Sequence, residues 1–330
     1  MSQGEERAGV GKRLLIVKLS SLGDVVHAMA AVQDIRRAQP DLTIDWVVER
    51  GFAPLVQRCA GVARVIPCDL RRWRRRPWSA SNRAEWRAFK ADLQAQAYDW
   101  VLDLQGLTKS AWVAWLARKT ANGQHVSLGN RTDGSSFEAP ARWLADHAVV
   151  LPVHVHAVER SRLLCAAALG YALDGPPVFG LQARGRAAPL SPPVIVLVHG
   201  TSRADKEWPL DHWQALGQRL NAAGYRVALA HGNAAEQQTS VRIAAGLADA
   251  SVWPSMALDA LVDTLGACAG LIGVDSGLSH IAVAMDLPHV QLYNFDTAWR
   301  TGPAGGRQVS VFGQPVPTVD AVWQAWRGLL

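Results

Sequence analysis

Three stretches hold side chains that could do chemistry. The first is Lys18-Leu19-Ser20-Ser21-Leu22-Gly23-Asp24-Val25-Val26-His27. Leu14-Leu15-Ile16-Val17 before it reads as a buried strand, and Val25, Val26, Met29, Val32 and Ile35 after it fall at helical spacing. Asp24 thus opens a helix at the carboxyl end of a strand, where α/β proteins place ligands. Its carboxylate either caps that helix, worth about 0.3–1 kcal/mol against the helix dipole, or faces a ligand. The second stretch is Thr201, Ser202 and Lys206, behind the apolar block Val194-Ile195-Val196-Leu197-Val198. The third is Asp275-Ser276-Gly277, behind Gly270-Leu271-Ile272-Gly273-Val274 and ahead of another helical pattern. Two hydroxyls, an ammonium and the free N–H groups of a helix start would hold a phosphate. A capped helix and a solvated lysine are the other reading.

Arg71-Arg72-Trp73-Arg74-Arg75-Arg76-Pro77-Trp78, followed by Arg83, Arg87 and Lys90, is the strongest electrostatic signal. Arginine grips phosphate and carboxylate bidentately, and tryptophan favours a wet–apolar boundary. The run would dock an anionic acceptor at a membrane face, hold single-stranded nucleic acid by stacking, or be a solvated loop. His154-Val155-His156 would put two imidazoles on one face if extended. No C-x-x-C or carboxylate cluster joins them, so they read as structural or substrate-facing histidines. No D-x-D pair is present to carry a metal to a diphosphate, which leaves that charge to Lys206 and the helix start. The fingerprints G-x-G-x-x-G, G-x-x-x-x-G-K-[ST] and G-x-S-x-G are also absent.

The elements that must position these residues alternate strand and helix twice, which predicts two α/β units of mostly parallel sheet. Strands are expected at 14–17, 43–48, 63–67 and 98–104, then at 194–198, 226–230, 270–274 and 289–292. Helices are expected near 83–97, 110–118, 139–145 and 157–169 in the first unit, with 120–157 otherwise irregular. The second unit is expected to have helices at 210–223, 235–247, 256–267, 278–285 and 319–330. A stretch rich in Gly and Pro, 174–193, reads as the linker, and 1–12 as a frayed start. The first 180 residues carry 24 Lys and Arg against 17 Asp and Glu, the remainder 10 against 11, so an acidic partner belongs to the first unit. That confinement, with a near-neutral second unit, argues against a nucleic-acid binder. Cys59, Cys68, Cys165 and Cys268 form no C-x-x-C pair, which fits a reducing compartment. No signal-peptide pattern or long apolar run is present, so a soluble, cytoplasmic protein is expected.

Six pieces taken together resemble glycosyltransferase family 9, the ADP-heptose:lipopolysaccharide heptosyltransferases. They are Lys18 to His27, Arg71-Arg72-Trp73-Arg74, Asp103-Leu104-Gln105-Gly106-Leu107-Thr108-Lys109-Ser110, His156-Ala157-Val158-Glu159-Arg160, His199 to Pro209, and Gly273 to His280. The second and fourth pieces favour the branch that adds the first heptose over the one that adds the second. The resemblance implies the α/β architecture called GT-B, two Rossmann-like domains facing a central cleft. Residues 1–175 would bind the acceptor, 176–193 would link, and 194–330 would bind ADP-heptose, with the last helix free to pack back on the first domain. It implies inverting transfer of L-glycero-D-manno-heptose from ADP-heptose to the Kdo region of Kdo-lipid A, in lipopolysaccharide inner-core biosynthesis. No metal or other cofactor and no nucleic acid would take part, and the enzyme would sit peripherally at the cytoplasmic face of the inner membrane.

By the same resemblance Asp24 is the general base and Lys206 the catalytic cation. Thr201, Ser202, Met256, Asp275, Ser276, Gly277 and His280 match donor-site positions. Ser20, Ser21, Gly23, Arg71, Arg72, Arg74, Lys109, His156 and Arg160 are assigned to the acceptor. Relatives carry Gly-Ala-Glu where this chain reads Gly232-Asn233-Ala234-Ala235-Glu236, so Asn233 and Glu236 both stand as the ribose ligand. A family member with another acceptor and a non-catalytic ADP-sugar-binding protein are the alternatives. The intact set Asp24, Lys206 and Asp275 argues against the second.

Overall fold

A computed structural model describes residues 11–76, 78–185 and 188–330. Residues 1–10 of the frayed start expected at 1–12, Pro77 of the Arg-Trp run and residues 186 and 187 of the expected linker lie outside it. The first half runs β1 (Arg13–Val17), α1 (Leu22–Ala38), β2 (Thr43–Glu49), α2 (Ala53–Val56), β3 (Val62–Cys68), α3 (Leu70–Arg75), α4 (Ala80–Leu93), β4 (Tyr98–Asp103), α5 (Thr108–Leu116), β5 (Lys119–Leu128), α6 (Pro140–Trp143), β6 (His147–Val149) and α7 (Ala157–Leu169). The second runs β7 (Val194–Val198), α8 (Leu210–Ala222), β8 (Arg226–Leu229), α9 (Ala234–Ala244), β9 (Ala250–Val252), α10 (Leu258–Leu265), β10 (Gly270–Val274), α11 (Gly277–Ala284), β11 (His289–Tyr293), α12 (Ala298–Thr301), β12 (Gln308–Phe312) and α13 (Val319–Arg327).

Each half builds one six-stranded parallel sheet, in the orders β3-β2-β1-β4-β5-β6 and β12-β11-β10-β7-β8-β9. These are the same order twice. In both, the winding direction reverses between the first and fourth strands, β1 and β4 in one sheet, β7 and β10 in the other. Such a reversal leaves a crevice at the strand carboxyl ends, where open α/β sheets bind ligands. The four loops that flank the two crevices come after β1, β4, β7 and β10. The central strands are apolar runs because helices cover both faces: β7 and β10 are buried along their whole length, and β1 from Leu14 onward.

Helix α1 joins the halves. It packs on α7 of its own half and on α11 of the other. Arg162 on α7 fixes it with a buried pair to Asp34, Nε to Oδ2 at 2.6 Å and Nη2 to Oδ1 at 3.2 Å. A second cross-half tie runs from Arg58 to Asp263 at 2.5 Å.

Several expectations are corrected. Residues 120–157 are not simply irregular: β5 and β6 extend the first sheet. Most of β5 is polar and solvent-facing, and only its last four residues are buried, so it lacks a two-residue apolar period. The Arg-Trp run is not a solvated loop, since 70–75 is helical and buries Trp73 against Trp86 and Phe89. His154 and His156 do not share a strand face, because His156 caps α7 with its Nδ1 accepting from the N–H of Val158. In the Pro- and Gly-rich stretch read as the linker, Phe179 and Leu181 are buried, and Leu181 bridges to Cys59 of the first half. The last helix stays on the second sheet, where Val322 and Trp326 join its core beneath α8, β11 and β12.

Candidate active site

The loop after β1 is held from below by the loop after β4. Asp103 is buried and accepts from the N–H groups of Gln105 and Gly106 and from the Ser110 hydroxyl; burial pushes its carboxyl up to about 6 against those bonds. The turn needs Gly106 at φ +72°. It aims Gln105 Oε1 at the N–H groups of Leu19 and Ser20, at 2.8 and 3.2 Å, and Lys109 Nζ at the Ser20 hydroxyl, at 3.2 Å.

On that platform Asp24 is the third residue of α1, and its Oδ2 accepts from the N–H and the hydroxyl of Ser21. The capping reading of Asp24 is therefore real. The other oxygen does something more. Oδ1 takes a hydrogen bond from Arg160 at 3.1 Å and lies 3.6 Å from Lys18 Nζ, while the side chain stays 35% exposed. Burial alone would raise the Asp24 carboxyl, but the charges of Lys18 and Arg160 outweigh it and hold the group well below the usual carboxylate range. Burial pulls the Lys18 ammonium down to about 8 although Asp24 opposes it.

Across from it stands the second half. Lys206 Nζ donates to Asp275 Oδ2 at 2.5 Å, and His280 Nε2 lies 3.3 Å from the other oxygen. Burial would raise Asp275, yet His280 and Lys206 keep it well below the usual range. The N-terminus of α11 begins at Ser276 with no side-chain cap of its own, so its N–H groups are available to an anion. Two helix starts from distant parts of the chain meet here. A Cβ on Gly23 would stand 2.6 Å from His280, and one on Gly277 2.6 Å from Leu22. Only glycine permits this approach. His27 packs edge-on against His280 at 4.3 Å, and burial together with His280 pulls its imidazole well below its ordinary value.

The result is one cavity of about 430 Å³, lined by Ser20, Ser21, Gly23, Asp24, Arg71, Lys109 and Arg160 of the first half and by Ser202, Lys206, Asp275, Ser276, Gly277 and His280 of the second. The expected residues Thr201 and Glu236 line a neighbouring cavity of about 540 Å³ with His199 and Asn233. Arg74 lines a third, beside α3 and α5. Three expected residues stand elsewhere. Arg72 is tied to Asp69 and Glu85 and braces α3 on α4. His156 turns its Nε2 to the carbonyl of Gly302 at 3.1 Å. Met256 packs beside Thr264, outside the two cavities of the cleft.

Some cleft residues escaped sequence reasoning. Residues 133–136, Arg300 and Thr301 line the main cavity, and Arg300 reaches the Gly134 carbonyl at 3.3 Å. They lie on an irregular loop and a one-turn helix, with no pattern to mark them. Lys18 carried a signal, a lone lysine ending an apolar strand. Among the described residues no three His, Cys, Asp or Glu side chains are grouped to hold a metal ion.

Two parallel sheets of one winding order, with a carboxylate on one side of their shared cleft and a cation and helix start on the other, define a GT-B glycosyltransferase. Similarity to known proteins narrows the class. A profile described as Glycosyltransferase family 9 (heptosyltransferase) matches residues 86–321. Lipopolysaccharide heptosyltransferase 1 of Pseudomonas aeruginosa is 39% identical over 300 residues, 90% of this chain and 82% of that protein. Its namesake in Escherichia coli K12 is 38% identical over 287 residues, 85% of this chain and 87% of its own. The solved structure of E. coli heptosyltransferase WaaC with ADP matches with a TM-score of 0.86 at 34% identity, covering 96% of this chain and all of that one. The same enzyme with ADP-2-deoxy-2-fluoro heptose gives 0.81. The chain belongs to glycosyltransferase family 9, the heptosyltransferases.

Proposed function

We propose that this enzyme transfers heptose from ADP-heptose to the Kdo region of Kdo-lipid A, with inversion at the anomeric carbon and without a metal. The observation that carries the reading is the single cavity into which Asp24, Lys206 and the start of α11 converge from the two sheets. In the step, an acceptor hydroxyl oxygen bonds to the anomeric carbon while the bond from that carbon to the β-phosphate oxygen breaks. The hydroxyl proton passes to Asp24, and the charge left on ADP is met by Lys206, Ser202 and the α11 N–H groups. One in-line displacement inverts the centre. Asn233 is used as the cap of α9, its Oδ1 accepting from the Glu236 N–H. The Glu236 carboxylate, close over Gly200, accepts from the Gly232 N–H and the Asn233 amide at 2.7 Å each, so it would meet the donor ribose with its remaining acceptor positions.

A carboxylate as acidic as Asp24 is a weak base while Arg160 holds it. The acceptor carries carboxylate and phosphate groups that compete for that guanidinium, and drawing Arg160 away frees Oδ1 when the hydroxyl arrives. Opposite charges at such distances shift a carboxyl by about 1–3 units. Arg160→Gln should therefore move the acidic limb of the kcat/KM–pH profile, which reports the free enzyme in which Arg160 holds Asp24, upward by about one unit. A limb that does not move would separate Arg160 from the base.

The acceptor is a lipid, and the enzyme works peripherally at the cytoplasmic face of the inner membrane. The basic first half supports that location, and among the described residues no helix is long and apolar enough to cross a bilayer. Arg71 lines the main cavity and Arg74 the one beside it, so Arg71→Ser with Arg74→Ser should raise the acceptor KM about tenfold, the scale of one lost charge-assisted hydrogen bond. ADP affinity should hold. Arg72→Ser should instead loosen α3 and lower Tm with little change in KM; the opposite pattern would reverse the assignment.

The reading as a whole is tested by mass spectrometry of the product made from ADP-heptose and Kdo-lipid A in the presence of a chelator. A single added heptose is expected. Transfer only to an acceptor that already bears one heptose would move this chain to the second-heptose branch.

A further inference from the structure

The proposed reaction gives Arg300 no task, yet Arg300 lines the reaction cavity from the second half. Lys206, the other Lys or Arg that half contributes to the cavity, is paired with Asp275. Arg300 forms no ion pair among the described residues. Its Nη1 donates to the Gly134 carbonyl at 3.3 Å, and its Nε is buried without a partner. A guanidinium carries five N–H donors in a fixed fork, and a buried donor left unmet costs free energy. The group that fits such a fork is a carboxylate or a phosphate.

The short helix α12 belongs to the second half by sequence but stands against the first. Trp299 stacks on His154 with ring centroids 3.7 Å apart, and the Gly302 carbonyl lies 3.1 Å from His156 Nε2. Between these two in sequence, the Arg300 guanidinium reaches loop 133–136 so closely that a Cβ on Gly134 would overlap it. That loop lines the same cavity, and its own carboxylate, Asp133, is engaged by His154 at 3.3 Å. The diphosphate has its partners elsewhere, in Lys206, Ser202 and the start of α11. The anion left for this wall is the acceptor's. Kdo is an acidic sugar whose carboxylate sits on the same ring as its reacting hydroxyl. An acceptor with that hydroxyl at Asp24 carries the carboxylate into the cavity that Asp24 and Arg300 share. We infer that Arg300 binds the carboxylate of the acceptor sugar, so that the second half, too, selects the acceptor. The inference rests on the proposed acceptor and names a residue that determines its recognition.

The first test does not depend on transfer. The methyl glycoside of Kdo, and the same glycoside with its carboxylate converted to the primary amide, are titrated into the protein saturated with ADP. Ligand-observed NMR reads the binding. The unmodified protein should prefer the carboxylate by at least about tenfold, the scale of a hydrogen bond between charged groups. In Arg300→Gln that preference should shrink about tenfold, because the loss falls on the carboxylate ligand alone. An unchanged preference overturns the inference and gives the carboxylate to Arg71, Lys109 or Arg160. Equal weakening of both ligands overturns it too, since that marks a residue that only holds the two halves together.

The second test uses the whole reaction. Arg300→Gln should raise the KM for Kdo-lipid A about tenfold and leave the Kd for ADP unchanged. Arg300→Lys should recover only part of the loss, because it restores the charge and not the fork. A weakened Kd for ADP would place the guanidinium on the diphosphate and overturn the inference, as would a KM that stays put. An unmodified protein that binds neither glycoside and leaves Kdo-lipid A untouched would strike the proposed acceptor, and the inference with it. One that makes the product and prefers the carboxylate, with Arg300→Gln altering neither, strikes the inference alone.

Discussion

Asp24→Asn should lower kcat by at least about a hundredfold and leave ADP affinity intact. General-base removal costs roughly 10²–10⁴-fold, and it costs turnover because the proton leaves the acceptor in or near the transition state. The structure makes the substitution selective. Asn keeps an oxygen for the N–H and hydroxyl of Ser21, the two bonds that brace the first turn of α1, so the fold should change little. What Asn lacks is the negative charge that Lys18 and Arg160 meet at the second oxygen. If Asp24 acted only as a cap, the Asn variant would turn over near normally and the Ala variant would simply melt earlier. The deciding measurement is single-turnover heptose transfer with both substrates saturating. A rate within about tenfold of the unmodified enzyme, short of the general-base range, removes Asp24 from the role. His27 is poorly placed to inherit it: the ring is 6% exposed and packed on His280.

Lys206→Ala should weaken ADP binding by about 1.5–3 kcal/mol, the scale of a hydrogen bond to a charged group. The structure points to the upper part of that range. Lys206 is paired with Asp275, which is 7% exposed. Removing the ammonium leaves a buried carboxylate beside the start of α11, where the departing diphosphate would have to sit. The pair also predicts its own control. Adding Asp275→Asn to Lys206→Ala should recover part of the lost affinity, because it removes a buried carboxylate that has lost its ammonium partner and keeps only His280 and Gln291. Calorimetry with ADP in excess chelator reads both variants. Binding by the unmodified protein that appears only when magnesium is added would refute the metal-free reading, and an unchanged Kd in the Lys206 variant would place the diphosphate elsewhere.

The amino-acid sequence alone determined the parts of this enzyme that are local. β1, β4, β7 and β10 are apolar runs because they lie in the middle of parallel sheets covered on both faces, and such runs are legible without a partner. Parallel strands also bring their carboxyl ends to one edge, so the polar loops behind β1, β7 and β10 could be named as ligand loops. Asp24, Ser202, Lys206, Ser276 and Gly277 came from that rule, Lys109 only from the family resemblance, and all line one cavity.

Tertiary structure decided whatever depends on what stands opposite. Gly23 looks like any loop glycine until His280 is packed against it, and Gly277 until Leu22 is. Asp24 reads as a helix cap until α7 delivers Arg160 to its second oxygen. Arg71 and Arg72 are neighbours of one type, yet one opens on the cleft and the other is spent on Asp69 and Glu85. The outer strand β5 hid because solvent on one side removes the pressure for apolar residues. In each case the missing information is which distant surface a side chain meets. Hydrophobic periodicity records how deeply a residue is buried, and it carries no label for the partner.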